Sequence, residues 1–327
     1  MQKMSWWQKV LYALALGTPC FFLSEGFFWA RWRLDFNPLS SLVTWLVYCF
    51  VTYTTLLILD RFKVRNFWGV FLAGAVYGWL LEAVVVSTFY EDFPLGISFT
   101  GLAWHAPLSV GVGLYALPRL LRQAKPGRIA WMSAIAGLVY ALWAIWWWGE
   151  EPGNINPPLP WLLYSGGMTV LSMLGLWAAD RFSRAQRFVS TRGEWIAVVI
   201  LWSLFFLFVR FFSYGWGIFV LPLLMLLTFI ALRQGQKKAG DHQQQVLEAI
   251  RGPLPLSNLL ALLALPATAA LFYTLAYFLG LQFPSHYLFY AILTPAGFVL
   301  YILAIVQLMR RKRTIKKPAH STISKGE

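Results

Sequence analysis

Two carboxylates and one guanidinium fall inside long apolar stretches of the sequence. Glu25, Glu82 and Arg210 each lie several residues from the end of such a stretch. If the stretches cross a membrane, a charge at the centre of the bilayer costs about 2.5 kcal/mol or more, so it usually pairs with another group or serves a function. A buried carboxylate that takes up and releases a proton suits proton-coupled transport or acid–base catalysis.

His105 is the histidine best placed for proton transfer. It lies in the motif Trp104-His105-Ala106-Pro107, which opens the apolar stretch after the one that contains Glu82. Imidazole is the side chain whose protonation most readily changes near neutral pH, so His105 could exchange a proton with Glu82. Glu82 and His105 are therefore the candidate catalytic residues. The alternative is that His105 only hydrogen-bonds the preceding loop.

The candidate substrate-binding residues extend this pair toward one side of the membrane. Each falls in the outer part of an apolar stretch, so a closed bundle is expected to bring them to one polar vestibule. Arg210 either pairs with Glu82 or reaches the lipid headgroups. Trp143 either forms a wall for a ring-bearing ligand or anchors its helix at the interface. The set is Glu25, Glu82, Trp104, His105, Trp143 and Arg210.

The sequence contains no motif for a metal or a cofactor. It has no His-Glu-x-x-His, no cysteine pair with zinc spacing, no phosphate-binding glycine loop and no Gly-x-Ser-x-Gly nucleophile motif. We therefore expect neither a metal site nor a cofactor. Cys20 and Cys49 both fall within apolar stretches, where we expect packing residues and not a disulfide framework.

The elements that must position these residues are membrane-spanning helices. Of the 327 residues, 59% are hydrophobic and 12% are charged, whereas soluble domains carry about 25% charged residues. We therefore predict an all-α polytopic integral membrane protein. The apolar stretches give about ten transmembrane helices, near residues 10–29, 41–59, 67–88, 103–121, 129–148, 160–179, 194–213, 215–232, 256–280 and 286–309. The division between the seventh and the eighth depends on a tight turn at 213–217.

Basic residues predict how the helices are oriented. With the N-terminus inside, every Lys and Arg except Arg31, Arg33 and Arg210 falls in an inner segment. Because cytoplasmic segments are enriched in Lys and Arg, we expect both termini in the cytoplasm and a basic cytoplasmic tail at 310–327. The net charge of +14 then reflects contact with anionic lipid headgroups at the cytoplasmic face and not with nucleic acid. A bacterial-type cytoplasmic membrane is the expected location.

The chain is predicted to form a single transmembrane domain over 1–309, built from helical hairpins. Leu59-Asp60-Arg61-Phe62 and Ala179-Asp180-Arg181-Phe182 end two of these hairpins alike. They suggest tandem repeats near 10–62, 67–121 and 129–182, followed by two divergent hairpins at 194–232 and 256–309. The alternative is that hairpins that obey the same charge rule look alike without duplication.

One short stretch resembles a known group of enzymes. In bacterial membrane carotenoid-biosynthesis enzymes, a Glu on a helix precedes a segment with Phe-Pro, Gly, an aromatic residue and Thr. Glu82 followed by Phe93-Pro94-Leu95-Gly96 and Thr100 is similar. The resemblance implies an isoprenoid substrate. It covers only this part of the chain, Ile97 stands where the aromatic residue is expected, and the number of predicted helices differs from that family.

Three classes of function fit these observations. The first, which we expect, is a transporter or lipid-handling protein with an outward-facing polar vestibule and proton coupling through Glu82. The second is a membrane-embedded enzyme that acts on a lipid or isoprenoid, with Glu82 and His105 as acid and base. The third is a structural subunit of a membrane complex, or a homo-oligomer, in which the small face of Gly74-x-x-x-Gly78 docks a partner helix.

Overall fold

The structure, a computed structural model, describes residues 2–210, 215–238, 244–281 and 287–310. Within these residues the only strands are β1 (Gln2–Lys3) and β2 (Gln186–Arg187), which pair in parallel. The α-helices are α1 (Trp6–Phe21), α2 (Phe27–Trp29), α3 (Pro38–Arg61), α4 (Phe67–Trp79), α5 (Thr88–Glu91), α6 (Leu117–Gln123), α7 (Pro126–Glu150), α8 (Pro158–Ala185), α9 (Arg192–Arg210), α10 (Val220–Lys238), α11 (Val246–Ala249), α12 (Leu256–Leu260), α13 (Ala264–Leu279) and α14 (Tyr287–Met309). Three stretches are π-helical: π1 (Phe22–Gly26), π2 (Leu80–Val85) and π3 (Gly101–Ala116).

Nine helical stretches of the described residues are long and apolar enough to cross a membrane. They are Trp6–Trp29, Pro38–Arg61, Phe67–Val85, Pro126–Glu150, Pro158–Ala185, Arg192–Arg210, Gly217–Lys237, Leu256–Leu279 and Tyr287–Met309. The protein is therefore an all-α, multi-pass membrane protein, as the sequence predicts. The remaining predicted segment, 103–121, lies on π3 and α6, which follow each other without a break and are not among the nine.

Two predicted features extend beyond the described residues. The division at 213–217 separates α9, which ends at Arg210, from a helical stretch that begins at Gly215, and residues 211–214 between them lie outside the description. Of the predicted basic tail at 310–327, the description includes Arg310 and stops there.

α4 lies at the centre of the bundle. In the span that contains it, 89% of the apolar window is buried, the highest share among the nine spans of the described residues. Glycines let π3 pack directly on α4: a Cβ on Gly74 would lie 2.7 Å from the Cα of Ala106, and one on Gly78 would meet the backbone of Gly101. The small face is thus covered by π3 of the same chain, and whether the protein has a partner helix or forms a homo-oligomer stays a prediction.

The first two pairs of consecutive helices pack as hairpins. α1 packs along α3, and α4 packs along π3. α7 packs chiefly on α13, because Gly137 lets its backbone meet the carbonyl of Leu265. Trp161 of α8 stacks on Tyr273 of α13, with the ring centres 4.2 Å apart. The third predicted hairpin therefore has α13 packed against both of its helices, and whether the repeats arose by duplication stays a prediction.

Charged residues tie the helices together where α1 begins. Asp180 is fully buried and accepts a hydrogen bond from Arg122 at 3.3 Å. Lys9, also buried, donates to Glu194 at 2.7 Å. We call this the basic end of the bundle and the opposite end, near Trp29, the aromatic end. The assignment of the basic end to the cytoplasm stays a prediction.

Candidate functional site

Glu82 and His105 form a buried hydrogen-bonded pair. The Oε1 atom of Glu82 lies 2.8 Å from Nε2 of His105. Glu82 is 7% exposed and His105 is 3% exposed. Glu82 lies on π2, which continues α4, and His105 lies on π3, so the close packing at Gly74 and Gly78 brings them together. The structure thus places the two candidate catalytic residues in direct contact.

Three hydroxyl groups extend this pair into a network. The Nδ1 atom of His105 lies 3.3 Å from Oγ of Ser24 and 3.2 Å from Oγ of Ser109. The two serine oxygens lie 2.6 Å apart. On the other side, the hydroxyl of Thr88 donates to Oε2 of Glu82. We call these five residues the Glu82 network.

The hydrogen bonds of the Glu82 network determine how it can carry a proton. When Glu82 is ionised its oxygens only accept, so Nε2 of His105 carries a hydrogen. The Nδ1 atom then accepts from a serine hydroxyl if the imidazole is neutral and donates to one if it is charged. A change in the charge of His105 therefore requires the hydroxyls of Ser24 and Ser109 to turn.

The sequence predicts none of the three hydroxyl residues of the network. Ser109 lies four residues after His105, a spacing that places two side chains on one face of a helix. That spacing was the signal available for Ser109. Ser24 and Thr88 contact the pair through tertiary packing, which no local pattern reveals.

Four members of the network are carried by π-helices. Ser24 lies on π1, Glu82 on π2, and His105 and Ser109 on π3. A π-helical turn is rare, is usually short and often occurs at functional sites. Pro107 lies within π3 and has no N–H to donate to the helix. Irregular backbone in three neighbouring helical segments thus coincides with the polar network.

Glu25 follows Ser24 in the chain but faces other partners. Its Oε1 accepts from the Tyr48 hydroxyl at 2.6 Å, and its Oε2 accepts from the indole N–H of Trp29 at 2.9 Å. The rings of Tyr48 and His105 lie 6.1 Å apart. Tyr48 therefore contacts both Glu25 and the surroundings of the Glu82 network.

A groove of about 910 Å³ runs between α1, α3 and α8. Glu25, Arg31, Arg33 and Asp35 line it at the aromatic end, which we call the mouth, and Phe182 lines it toward the basic end. Its apolar walls include Leu11, Leu14, Leu42, Met168, Leu171 and Leu174. The groove therefore joins a charged mouth to a long apolar channel.

The charged residues of the mouth are already partly paired. Arg33 donates to both carboxylate oxygens of Asp35, at 2.8 and 2.6 Å, and this contact lowers the pKa of Asp35 below its usual value. The side chains of Arg33 and Asp35 are 41% and 66% exposed. Arg31 is buried, and its Nη2 atom lies 2.6 Å from Oε1 of Glu151. The mouth thus offers cationic and anionic groups side by side.

Aromatic side chains bind the carbonyl groups at the end of the first span. Tyr140 and Tyr164 donate to Gly26 at 3.0 and 3.1 Å, Trp143 and Trp147 to Phe28 at 2.6 and 2.9 Å, and Trp161 to Ala30 at 2.7 Å. The last carbonyls of a helix have no partner within the helix, so the tryptophans satisfy the carbonyls of Phe28 and Ala30, while the Gly26 carbonyl also accepts from the backbone N–H of Ala30 at 3.2 Å. Trp104 donates to the Leu23 carbonyl at 3.0 Å and packs on Trp143. Trp104 and Trp143 therefore support the backbone of the first span.

Arg210 binds the end of π2 and not a carboxylate. Its Nε donates to the Val84 carbonyl at 3.2 Å, and its Nη2 donates to the Val85 carbonyl at 2.7 Å. The predicted pairing of Arg210 with Glu82 is not formed, because His105 and Thr88 bind the carboxylate instead. Helix-end carbonyls are good acceptors for a guanidinium, since they lack partners within the helix.

The predicted binding residues divide among separate places. Glu25 lines the groove; Glu82 and His105 belong to the buried network; Trp104, Trp143 and Arg210 bind backbone carbonyls. The single vestibule expected from the sequence is therefore a groove beside a buried network. The reason is that π1 lies between them, with Glu25 toward the groove and Ser24 toward His105.

Within the described residues, no group of three or more His, Cys, Asp or Glu side chains is arranged to hold a metal ion. Cys20 and Cys49 are free and buried. Comparison of the chain with models of protein families, with curated proteins and with solved structures finds no match.

Proposed function

We propose that the protein binds an amphipathic lipid in the groove and moves it, as a transporter or lipid-handling protein. The observation that carries the proposal is the groove itself, which is charged at the mouth and apolar along its length. Ligand cavities usually measure about 300–1,000 Å³. The groove, at about 910 Å³, has room for a large part of a lipid.

The charged mouth makes an amphiphile the fitting ligand. A hydrocarbon chain gains little when it leaves the bilayer for an apolar groove, because both surroundings exclude water. A headgroup can gain charge-assisted hydrogen bonds at the mouth. Selectivity for the headgroup therefore arises at the mouth, and the apolar walls accommodate the chains.

The Glu82 network supplies a proton relay next to the groove. π1 carries Glu25 at the mouth and Ser24 against His105, so a ligand that shifts π1 acts on both residues. His105 exchanges a proton with Glu82 or with the serine hydroxyls. On this proposal, Glu82 and His105 couple the movement of lipid to the movement of a proton.

A second candidate function is a membrane enzyme that acts on a lipid or isoprenoid. It is favoured by the order hydroxyl, imidazole and carboxylate in Ser109, His105 and Glu82, which is the order of groups in Ser-His-acid hydrolases. A nucleophilic serine must contact its substrate. Ser24 and Ser109 are 1% and 0% exposed and hydrogen-bond each other, so their burial favours the relay.

Mass spectrometry of lipids retained by the purified protein tests the groove. The variant Leu171→Trp/Leu174→Trp narrows the apolar wall at two exposed positions of α8. Leu159→Trp/Leu163→Trp is the matched control, because these leucines are also exposed on α8, at 65% and 63% against 53% and 55%, but do not line the groove within the described residues. We expect a dominant lipid in the wild type and control and its loss in the groove variant. The same lipid content in all three proteins would contradict the proposal.

Liposome transport of that lipid tests the relay and separates the two candidate functions. Glu82→Gln should abolish the pH dependence of lipid transport in a folded protein, because Gln cannot release a proton. Wild-type pH dependence in Glu82→Gln would rule out the relay. A change in the mass of the added lipid that is lost in His105→Ala would instead favour the enzyme.

A further inference from the structure

Arg31 lies at the mouth of the groove in an unusual environment for a guanidinium. The residue before it, Ala30, has a left-handed φ of 50°, which ends the first span and turns the chain. The Arg31 side chain is 4% exposed. Its guanidinium carbon lies 4.4 Å from the centre of the Trp147 ring, and its Nη2 pairs with Glu151. These contacts hold the guanidinium plane in place.

Two nitrogen atoms of the Arg31 guanidinium, with three N–H groups between them, are buried without an acceptor among the described residues. Within the part of the chain that the structure describes, Nε and Nη1 of Arg31 have no hydrogen-bond partner. A buried donor left unsatisfied is costly, and more so when it belongs to a charged group. Glu151 supplies a single contact and its own side chain is 47% exposed. Arg31 is therefore a desolvated cation that still lacks acceptors.

We propose that Arg31 binds the oxyanion of a lipid headgroup, a phosphate or a carboxylate, while the lipid chains occupy the groove. The proposal rests on the lipid-binding function proposed above and names its ligand class. An oxyanion accepts several hydrogen bonds from a guanidinium, and such charge-assisted bonds are about twice as strong as neutral ones. The stack on Trp147 orients the guanidinium for this contact.

Arg33 is the natural comparison. It also lines the groove, but it donates to both oxygens of Asp35 and is 41% exposed. Nε and Nη2 of Arg33 are thus bound to Asp35 and its side chain is hydrated, whereas Nε and Nη1 of Arg31 are buried and have no acceptor among the described residues. The headgroup site is therefore assigned to Arg31 and not to Arg33, although both bring a positive charge to the mouth.

Calorimetric titration of the full chain in dodecyl maltoside micelles tests this assignment. The three probes are dioctanoyl phosphatidic acid, dioctanoylglycerol and inorganic phosphate. Dioctanoylglycerol has the same chains as the phosphatidic acid but no phosphate. The wild type should bind the phosphatidic acid at least about tenfold more tightly than dioctanoylglycerol, which is the difference that a charge-assisted hydrogen bond provides. Arg31→Gln should bind the two lipids equally, and Arg33→Gln should keep most of the wild-type preference.

The other outcomes distinguish failure of the Arg31 site from failure of the lipid groove. Equal binding of the two lipids by the wild type would overturn the Arg31 site and leave the lipid groove standing. Binding of neither lipid would overturn both. Competition by inorganic phosphate at the concentration of the phosphatidic acid would assign the site to a free anion and not to a lipid. If Arg31→Gln does not fold, Arg31→Lys replaces it. If Arg31→Lys keeps the full preference for phosphatidic acid over dioctanoylglycerol and Arg33→Gln loses it, the headgroup site belongs to Arg33.

Discussion

Replacing Glu82 by Gln and His105 by Ala tests whether the two residues stabilise the fold as a charged pair. Gln keeps the shape of Glu, and its Oε1 atom can still accept from Nε2 of His105, which lies 2.8 Å from the Glu82 oxygen. Hydrogen bonds to charged groups contribute about 1.5–3 kcal/mol and neutral ones about 0.5–1.5 kcal/mol. The free energy of unfolding should therefore fall by about 1 kcal/mol in Glu82→Gln.

His105→Ala should be more harmful. It leaves the carboxylate of Glu82, which is 7% exposed, with the hydroxyl of Thr88 but without the imidazole. Removing one partner of a buried charged pair costs about 3–5 kcal/mol. In the double variant the residue at position 82 is neutral, so the loss of His105 should cost about 2 kcal/mol less than in the single variant, a coupling within the usual range for contacting residues.

Unfolding by dodecyl sulfate in mixed micelles, followed by circular dichroism, gives these free energies. His105→Ala combined with Asn258→Ala serves as the control, because Asn258 binds the Leu121 carbonyl near the basic end and shares no partner with His105. That pair should be additive to about 0.5 kcal/mol. Equal losses in Glu82→Gln and His105→Ala, or additivity in their double variant, would refute a charged pair.

Two further predictions concern the packing that positions the site. Gly78→Ala should lower the free energy of unfolding by about 1–3 kcal/mol, because its Cβ would meet the backbone of π3. Gly166→Ala should not lower it, since no described atom outside its own stretch of helix lies within 4 Å of its Cβ and Ala favours a helix more than Gly does. Similar losses in both variants would contradict the close contact. Trp161→Phe keeps a ring against Tyr273 but removes the donor to the Ala30 carbonyl. In the same unfolding assay the free energy of unfolding should fall by about 1–3 kcal/mol. An unchanged unfolding midpoint would mean that the carbonyl finds another partner.

The sequence predicts those features of this structure that would be costly in free energy in any other setting, namely long apolar segments in water and charged side chains in a membrane. Apolar stretches of membrane-spanning length predict the helices, and the cost of an intramembrane charge identifies Glu82. The motif around His105 selects the residue that contacts Glu82 at 2.8 Å. Whether that pair acts in transport or catalysis stays a prediction.

The remaining features depend on tertiary packing and leave little trace in the sequence. Ser24 has no signal in the sequence, and Ser109 has only its spacing of four residues from His105. A hydroxyl in an apolar helix can hydrogen-bond the backbone, so its presence there indicates no particular function. For Trp143 the sequence predicts an interfacial anchor or a wall for a ligand. In the structure Trp143 and Trp147 both donate to the Phe28 carbonyl, a contact that cannot be predicted without knowing which helix lies beside α7.

π1 is the element through which lipid in the groove and the proton on His105 can affect each other. Ser24 and Glu25 are adjacent on this one turn, with Ser24 at 3.3 Å from His105 and Glu25 at the mouth. Coupling between two ligands is reciprocal, so if lipid changes the proton affinity of His105, protonation must change lipid affinity by the same factor.

Ser24→Ala should therefore make lipid affinity independent of pH, while Ser109→Ala should not. Ser109 also lies within hydrogen-bond distance of His105, at 3.2 Å, so either variant leaves the imidazole one hydroxyl partner and the folded network intact. The two differ in position, because Ser24 lies on π1 beside the groove and Ser109 lies on π3. Calorimetric titration of the retained lipid at pH 5.5 and pH 8 compares them with the wild type. Identical pH profiles for the two serine variants would show that the coupling does not run through π1, since position on π1 is what distinguishes them.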